Sequence, residues 1–198
     1  SKKRMSKRPI LLVTPDFPPN RGGVARFLSA LATYLKDEIT VIADLNPDWQ
    51  TTDKEAPYPV YRMSLLYRWF WPRWFKTYRY LRSVRSQYNI LLVSHVLPMG
   101  TAAMMSKIPY IVIVHGMDIR LAKRNPQKRR LAKKVLKRAR TVVTNSNALA
   151  KEVLEGFGVQ SVVIHPCLSA PDGETRWEGD TIQFLTVSRL VERKGHAH

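Results

Sequence analysis

Apolar residues along the chain come in short, nearly unbroken runs: Ile10–Thr14, Ile39–Ala43, Asn89–Ser94, Tyr110–Val114, Thr141–Thr144, Ser161–Ile164 and Ile182–Val187. Each has strand length with β-branched residues, and most hardly alternate. Strands of that kind are buried on both faces, as in a parallel sheet covered on either side. Between them the spacing changes. Val24, Phe27, Leu28, Leu31 and Leu35 share one helix face, and Leu149, Val153 and Leu154 repeat the pattern over a shorter length. Residues 127–138 form a helix with few apolar positions, Leu131, Val135 and Leu136, among many cations. The alternation predicts right-handed βαβ crossovers and an open, mainly parallel α/β sheet with helices on both faces.

Two regions depart from this rhythm. Residues 46–59 are polar and proline-bearing and read as a loop. Residues 65–88 are dense in Trp, Tyr, Phe and Arg. Pro72 should begin or break a helix there, after which Trp74, Tyr78, Leu81, Val84 and Tyr88 can share a face. Near the end, residues 169–179 hold Pro171, Gly173 and Gly179 and read as a linker. The expected organisation is a basic, disordered tail (1–8), one α/β domain (9–170), a linker (171–181) and the truncated start of a second domain (182–198). A domain that stops one strand in has no core of its own, so the chain reads as a fragment.

The 198 residues suffice for one sizeable core, and 44% of them are hydrophobic, as in ordinary soluble domains. No apolar run reaches the roughly 18 residues that span a bilayer, and no signal-peptide pattern follows the basic start. Cys167 is the single cysteine, which excludes an intrachain disulfide and any multi-cysteine metal site. These features lead to the expectation of a cytoplasmic protein. The net charge of +18 changes the picture. It favours anionic partners: nucleic acid, phospholipid head groups, or phosphorylated sugars and lipids. Much of it lies between Arg120 and Arg140, where no acid interrupts the Lys and Arg residues.

Three turns after strands carry candidate chemistry. After the first, residues 15–23 end in Gly22 and Gly23 before a helix. Paired glycines at a helix start let a ligand approach backbone N–H groups, and the helix dipole favours an anion. The alternative is a plain loop whose glycines relieve crowding. The sequence is neither GxGxxG nor GxxxxGK[ST], which excludes a dinucleotide fingerprint and a P-loop. After the fifth-region strand comes His115-Gly116-Met117-Asp118, at the strand end where open α/β sheets bind ligands. His95 ends the preceding strand in the same way, and there a hydrogen-bonding cap or an indirect role is the simpler reading. Past the last apolar run, Arg189 and Lys194 stand five residues apart before Gly195. They form either a diphosphate clamp or a solvated basic loop.

The order of these motifs resembles that of the large group of retaining GT-B glycosyltransferases. The matching residues are Gly22 and Gly23; His115, Gly116 and Asp118; Asn145, Ser146 and Ala148; Ile164 and Pro166; and Arg189 with Lys194. The resemblance covers nearly the whole chain after the tail. It implies the N-terminal, Rossmann-like, acceptor-side half of a two-domain enzyme that moves a sugar from a nucleotide-diphosphate sugar to a glycan or lipid-linked acceptor. The negative charge that builds on the leaving diphosphate would meet Arg189, Lys194 and the N–H groups of Gly22 and Gly23. His115 would contact the sugar or the acceptor hydroxyl. Asp16, His95, Asp118, Asn145 and Ser146 are acceptor-side candidates. No Asp-x-Asp occurs, in agreement with a mechanism that needs no metal or other cofactor. Two departures stand out: Cys167-Leu168 replaces the usual Asn-Gly, and the donor-side pair of glutamates is absent. The fragment alone is therefore expected to be inactive.

The resemblance also gives meaning to the aromatic–basic stretch. Trp69, Trp71 and Trp74 with Arg73 and Lys76 suit a membrane interface carrying anionic head groups. That predicts peripheral attachment to the inner membrane face and a role in lipopolysaccharide-type or glycolipid synthesis. The competing reading places these rings in the core. Rival functions are a GT-B relative with epimerase or phosphorylase chemistry, and a basic module for membrane or nucleic acid. No RNA- or DNA-binding pattern accompanies the charge, so specific nucleic-acid recognition is not expected.

Overall fold

A computed structural model describes residues 9–166. Seven strands form one sheet: β1 (Ile10–Thr14), β2 (Ile39–Ala43), β3 (Val60–Arg62), β4 (Ile90–Ser94), β5 (Tyr110–Val114), β6 (Thr141–Thr144) and β7 (Val162–Val163). Their order is β3-β2-β1-β4-β5-β6-β7, and every pairing is parallel. The first six apolar runs of the sequence are strands here; the seventh, 182–187, lies outside the described residues. So do the tail, the linker and the second-domain start.

The unbroken apolar runs have a direct cause. Successive strand residues point to opposite faces, and both faces are covered. In β1, Leu11 and Val13 join one core cluster while Leu12 joins the other; in β5, Val112 and Val114 part from Ile113 in the same manner. The face of Leu12 packs against α1 (Gly23–Tyr34), where Ala25, Leu28 and Ala32 are buried and Val24, Phe27, Leu31 and Leu35 flank the cluster. The other face receives α3 (Phe75–Ser83), α4 (Thr101–Ser106), α5 (Gly116–Lys123), α6 (Pro126–Arg138) and α7 (Asn147–Phe157).

Three sequence expectations change. Residues 46–59 are not all loop, because α2 (Trp49–Glu55) lies within them. That helix buries no apolar side chain, so it has no apolar face for a pattern to reveal. The helix after Pro72 ends at Ser83, and Tyr88 reaches the core from beyond it. Leu154 is exposed, and Phe157 takes the buried place expected for it.

Local chemistry sets the helix ends. Asn125 caps α6 through Oδ1, which accepts from the N–H groups of Gln127 and Lys128, and Pro126 opens the helix. Ser146 Oγ caps α7 by accepting from Leu149 N–H, and Gly158 closes that helix at φ +66°. Between β4 and α4 runs a short kinked turn, Val96–Gly100, whose backbone is extended at Leu97 (φ −128°, ψ 135°). A Cβ on Gly100 would lie 2.6 Å from Val135 Cγ1, so only glycine lets this turn meet α6.

Candidate functional site

Strand order decides which residues meet. The chain leaves β1 toward β2 on one side, while β4, from the other half of the sheet, lies directly against β1. At such a reversal the loops part and open a crevice at the carboxyl ends of the strands. β1, β4 and β5 are neighbours, so the residues just past them converge there.

Asp16 stands two residues beyond β1. Thr14 Oγ1 fixes its backbone, donating to Asp16 O at 3.0 Å and accepting from Asp16 N at 3.1 Å. His95 follows β4 at φ +75°, a conformation that side-chain-bearing residues rarely take and that clusters at functional sites. Backbone bonds from His95 N to Ile113 O and from Gly100 N to His95 O hold it there. His115 follows β5 and precedes α5. Its N–H donates to the Asp118 carboxylate at 3.3 Å, which ties the helix start to the strand end.

These side chains form one network. His95 Nε2 lies 3.3 Å from Asp16 Oδ2 and 3.7 Å from Asp118 Oδ1. Ser94 Oγ lies 2.9 Å from His95 Nδ1 and 3.0 Å from His115 Nε2. The two imidazoles are 5.1 Å apart. Exposure falls inward through the network: the Asp16 side chain is 45% exposed, His95 20% and Asp118 7%.

The two histidines titrate in opposite directions. Burial alone would lower His95. The hydrogen bond with Asp16, the charges of Asp118 and Asp16 and the Ser94 backbone outweigh it and raise the imidazole above its ordinary range. Burial and the repulsion of His95 hold His115 down at about 4, against a weaker pull from Asp16. The His95 hydrogen bond brings Asp16 below the usual carboxylate range, overcoming burial. Burial raises Asp118 despite the His95 charge and the backbone donors of His115 and Val96. A protonated His95 donates Nδ1–H to Ser94, whose hydroxyl then donates to neutral His115.

The other sequence candidates fall around this centre. Gly22 and Gly23 open α1, and a Cβ at either would meet nothing within 4 Å, so crowding inside the chain does not demand glycine. Asn145 follows β6, beside β5; Ser146 next to it is engaged as the cap of α7. Arg189 and Lys194 lie outside the described residues. Trp69 and Trp71 are 89% and 83% exposed, whereas Trp74 packs partly on the core. Arg73 donates to Tyr67 O at 2.9 Å, and Lys76 Nζ stands 5.9 Å from the Tyr67 ring centroid. No three His, Cys, Asp or Glu side chains among the described residues are grouped as a metal site. No helix among them is long and apolar enough to cross a membrane.

Two participants escaped the sequence reading. Ser94 looked like the end of an apolar strand, yet it bridges both histidines. Arg62 ties α2 to the loops that follow β1 and β2. It makes two bonds to the Asp53 carboxylate at 2.9 and 2.7 Å, donates to Asp44 O at 3.2 Å and to Pro18 O, and lies over the Phe17 ring. Its signal was faint: one arginine in a strand of three residues.

The all-parallel seven-stranded sheet with helices on both faces is a Rossmann-like fold that matches GT-B glycosyltransferase structures. Within that class the chain belongs to Glycosyltransferase Family 4, whose model matches residues 21–169. No curated protein matches it significantly. Among solved structures it is similar to the Anabaena protein HepE in complex with UDP and glucose, at TM-score 0.61 and 15% identity, covering 80% of this chain and 44% of HepE. HepE with UDP-glucose gives the same TM-score at 17% identity. A Polygonum tinctorium UDP-glucosyltransferase capable of glucosylating indoxyl matches at TM-score 0.55 and 11% identity, covering 88% of this chain and 56% of that one. The chain thus spans about half the length of these proteins.

Proposed function

We propose that this chain is the acceptor-side half of an enzyme that transfers a sugar, with retention of configuration and without a metal, from a nucleotide-diphosphate sugar to a glycan or lipid-linked acceptor of the cell envelope. The observation that carries the reading is the Asp16–His95–Ser94–His115 network at the sheet's reversal point. Support for the donor class comes from the family and from the nucleotide-sugars bound by the HepE structures. The uncrowded glycines at the start of α1 fit close approach of a diphosphate to backbone N–H groups. Arg189 and Lys194 would add fixed positive charge as the leaving diphosphate becomes more negative.

Exposure favours a division of labour within the network. Asp16 and His95, the more open pair, would touch the acceptor hydroxyl or the reacting sugar. His115, 7% exposed and neutral, would position His95 through Ser94. The test is a thermal-shift screen of the full-length protein against nucleotide diphosphates and nucleotide-sugars, followed by turnover assays. One nucleotide should raise the melting midpoint by mass action. Asp16→Asn and His95→Gln should lower kcat by about 10²-fold or more with the donor KM nearly unchanged. Stabilisation by no nucleotide would reject glycosyl transfer and leave phosphorylase or non-catalytic roles. A rise in donor KM at constant kcat would move the pair to the donor side.

Docking at an anionic membrane surface belongs to the same proposal. Its support is the exposure of Trp69 and Trp71 beside Arg68 and Arg73 on the loop between β3 and α3. The β3 end of that loop starts from the same edge of the sheet as the network.

A further inference from the structure

The basic stretch after Asp118 is more than a solvated helix face. Lys123, Arg129, Arg130 and Lys133, with Pro126 and Gly156, line a cleft of about 330 Å³. It lies where α5 and α6 pack against α7. No Asp or Glu occurs between Asp118 and Glu152. Glu152 is engaged with Lys123 at 3.3 Å, and Arg130 and Lys133 have no acidic partner among the described residues.

Two features make this arrangement unfavourable for an empty cleft. The first turn of α6 holds no acid, and Lys128, Arg129 and Arg130 crowd the end of the helix where the dipole is positive. Arg129 and Lys133 repel each other at i, i+4, as do Arg130 and Lys134. Lys123, at the far end of α5, reaches the same cleft with its charge partly met by Glu152 at 3.3 Å. An anion bound among these groups would add attractions that offset those repulsions.

The cleft is also shaped. A Cβ on Gly156 would lie 2.5 Å from Lys123 Cε, so the glycine makes room for the lysine to lie across α7. Arg129 Nη2 donates to Gly156 O at 3.1 Å, which fixes the guanidinium at the cleft wall. A planar arginine fork held in place, with a second arginine and two lysines beside it, matches the oxygens of a phosphate group.

We propose that the Lys123–Arg129–Arg130–Lys133 cleft binds a phosphate group, at a site separate from the Asp16–His95 network. The group belongs either to a soluble phosphate compound or to a phospholipid head group, and two probes separate these sources. Inorganic pyrophosphate titrated calorimetrically into the full chain tests the first. Co-sedimentation with phosphatidylcholine vesicles, with and without phosphatidic acid, tests the second. Arg130→Gln/Lys133→Gln should weaken the responding probe roughly tenfold or more. Lys134→Gln/Lys137→Gln, which removes the same charge from α6 outside the cleft, should change it less than about twofold. Pyrophosphate binding alone assigns a soluble ligand; retention on phosphatidic acid vesicles alone assigns a lipid. Without ligand, Arg130→Gln/Lys133→Gln should also raise the melting midpoint by relieving repulsion. Equal losses in both double variants, failure of both probes to bind, or a lowered midpoint would each overturn the site.

Discussion

His95 and His115 are of one residue type, 5.1 Å apart at equivalent strand ends, yet their surroundings drive them in opposite directions. The difference sets how stability depends on pH. The unfolded chain takes up a proton at His115 near 6.5, whereas the fold resists it until about 4. As pH falls through that window the unfolded state gains protons first, so stability declines by about 3 kcal/mol. His95 has the opposite sign. Its stabilising contribution is full below the unfolded value of 6.5 and is lost as pH rises through its higher folded value. Stability should therefore peak near neutrality. His115→Gln, whose amide oxygen still accepts from Ser94, should flatten the decline between pH 6.5 and 5 in urea melts; an unchanged decline would assign it to other groups. Arg62 gives a second prediction at this scale. Its side chain is 2% exposed and that of Asp53 9%, so Arg62→Ala leaves a buried carboxylate and two carbonyls without their donor. A loss of about 3–5 kcal/mol is expected by urea unfolding; a loss below about 1 kcal/mol would mean that water replaces the guanidinium.

At the scale of elements, two glycines show how packing overrides propensity. Gly156 sits inside α7, where alanine is normally favoured, and Gly100 is the N-cap of α4. At Gly100 the added methyl would strike Val135 Cγ1 in the core, on a side chain stiff at χ1. Gly100→Ala should cost about 1–3 kcal/mol. At Gly156 it would meet only the end of the Lys123 side chain, which can swing away. Gly156→Ala should be neutral or stabilise by up to about 1 kcal/mol. Thermal melts of the two variants should therefore shift in different directions, and equal shifts would refute the packing argument. The aromatic segment divides in the same physical way. Trp74 and Tyr78 turn to the core from the start of α3, while Trp69 and Trp71, on the loop before it, meet no core surface. Trp69→Ala/Trp71→Ala should leave the melting midpoint within about 2 °C while reducing sedimentation with anionic vesicles. Unchanged sedimentation would remove the rings from membrane docking.

At the scale of the molecule, the parallel sheet was legible because a strand covered on both faces must be apolar at nearly every position. The order β3-β2-β1-β4-β5-β6-β7 follows from crossover handedness and from the return of the chain past β1. Motif order pointed to glycosyltransferases of the GT-B kind; the end of β5 read as a place for His115, whereas His95 read as a strand-end cap or an indirect participant and Asp16 as an acceptor-side candidate through the resemblance. Helix α2 and strand β3 were not legible. The one buries no apolar side chain, the other is three residues long, and both are tied in place by the ion pair of Arg62 with Asp53. The bridging role of Ser94 was hidden because a hydroxyl at a strand end has no pattern until two rings from different strands approach it. The sequence by itself determined the class of fold, the strand ends and the large positive charge, since these depend on local periodicity and composition. Tertiary structure alone decided which imidazole takes up a proton more readily, which tryptophans are exposed and that four cations line one cleft. Those properties depend on burial and on distances between residues remote in sequence.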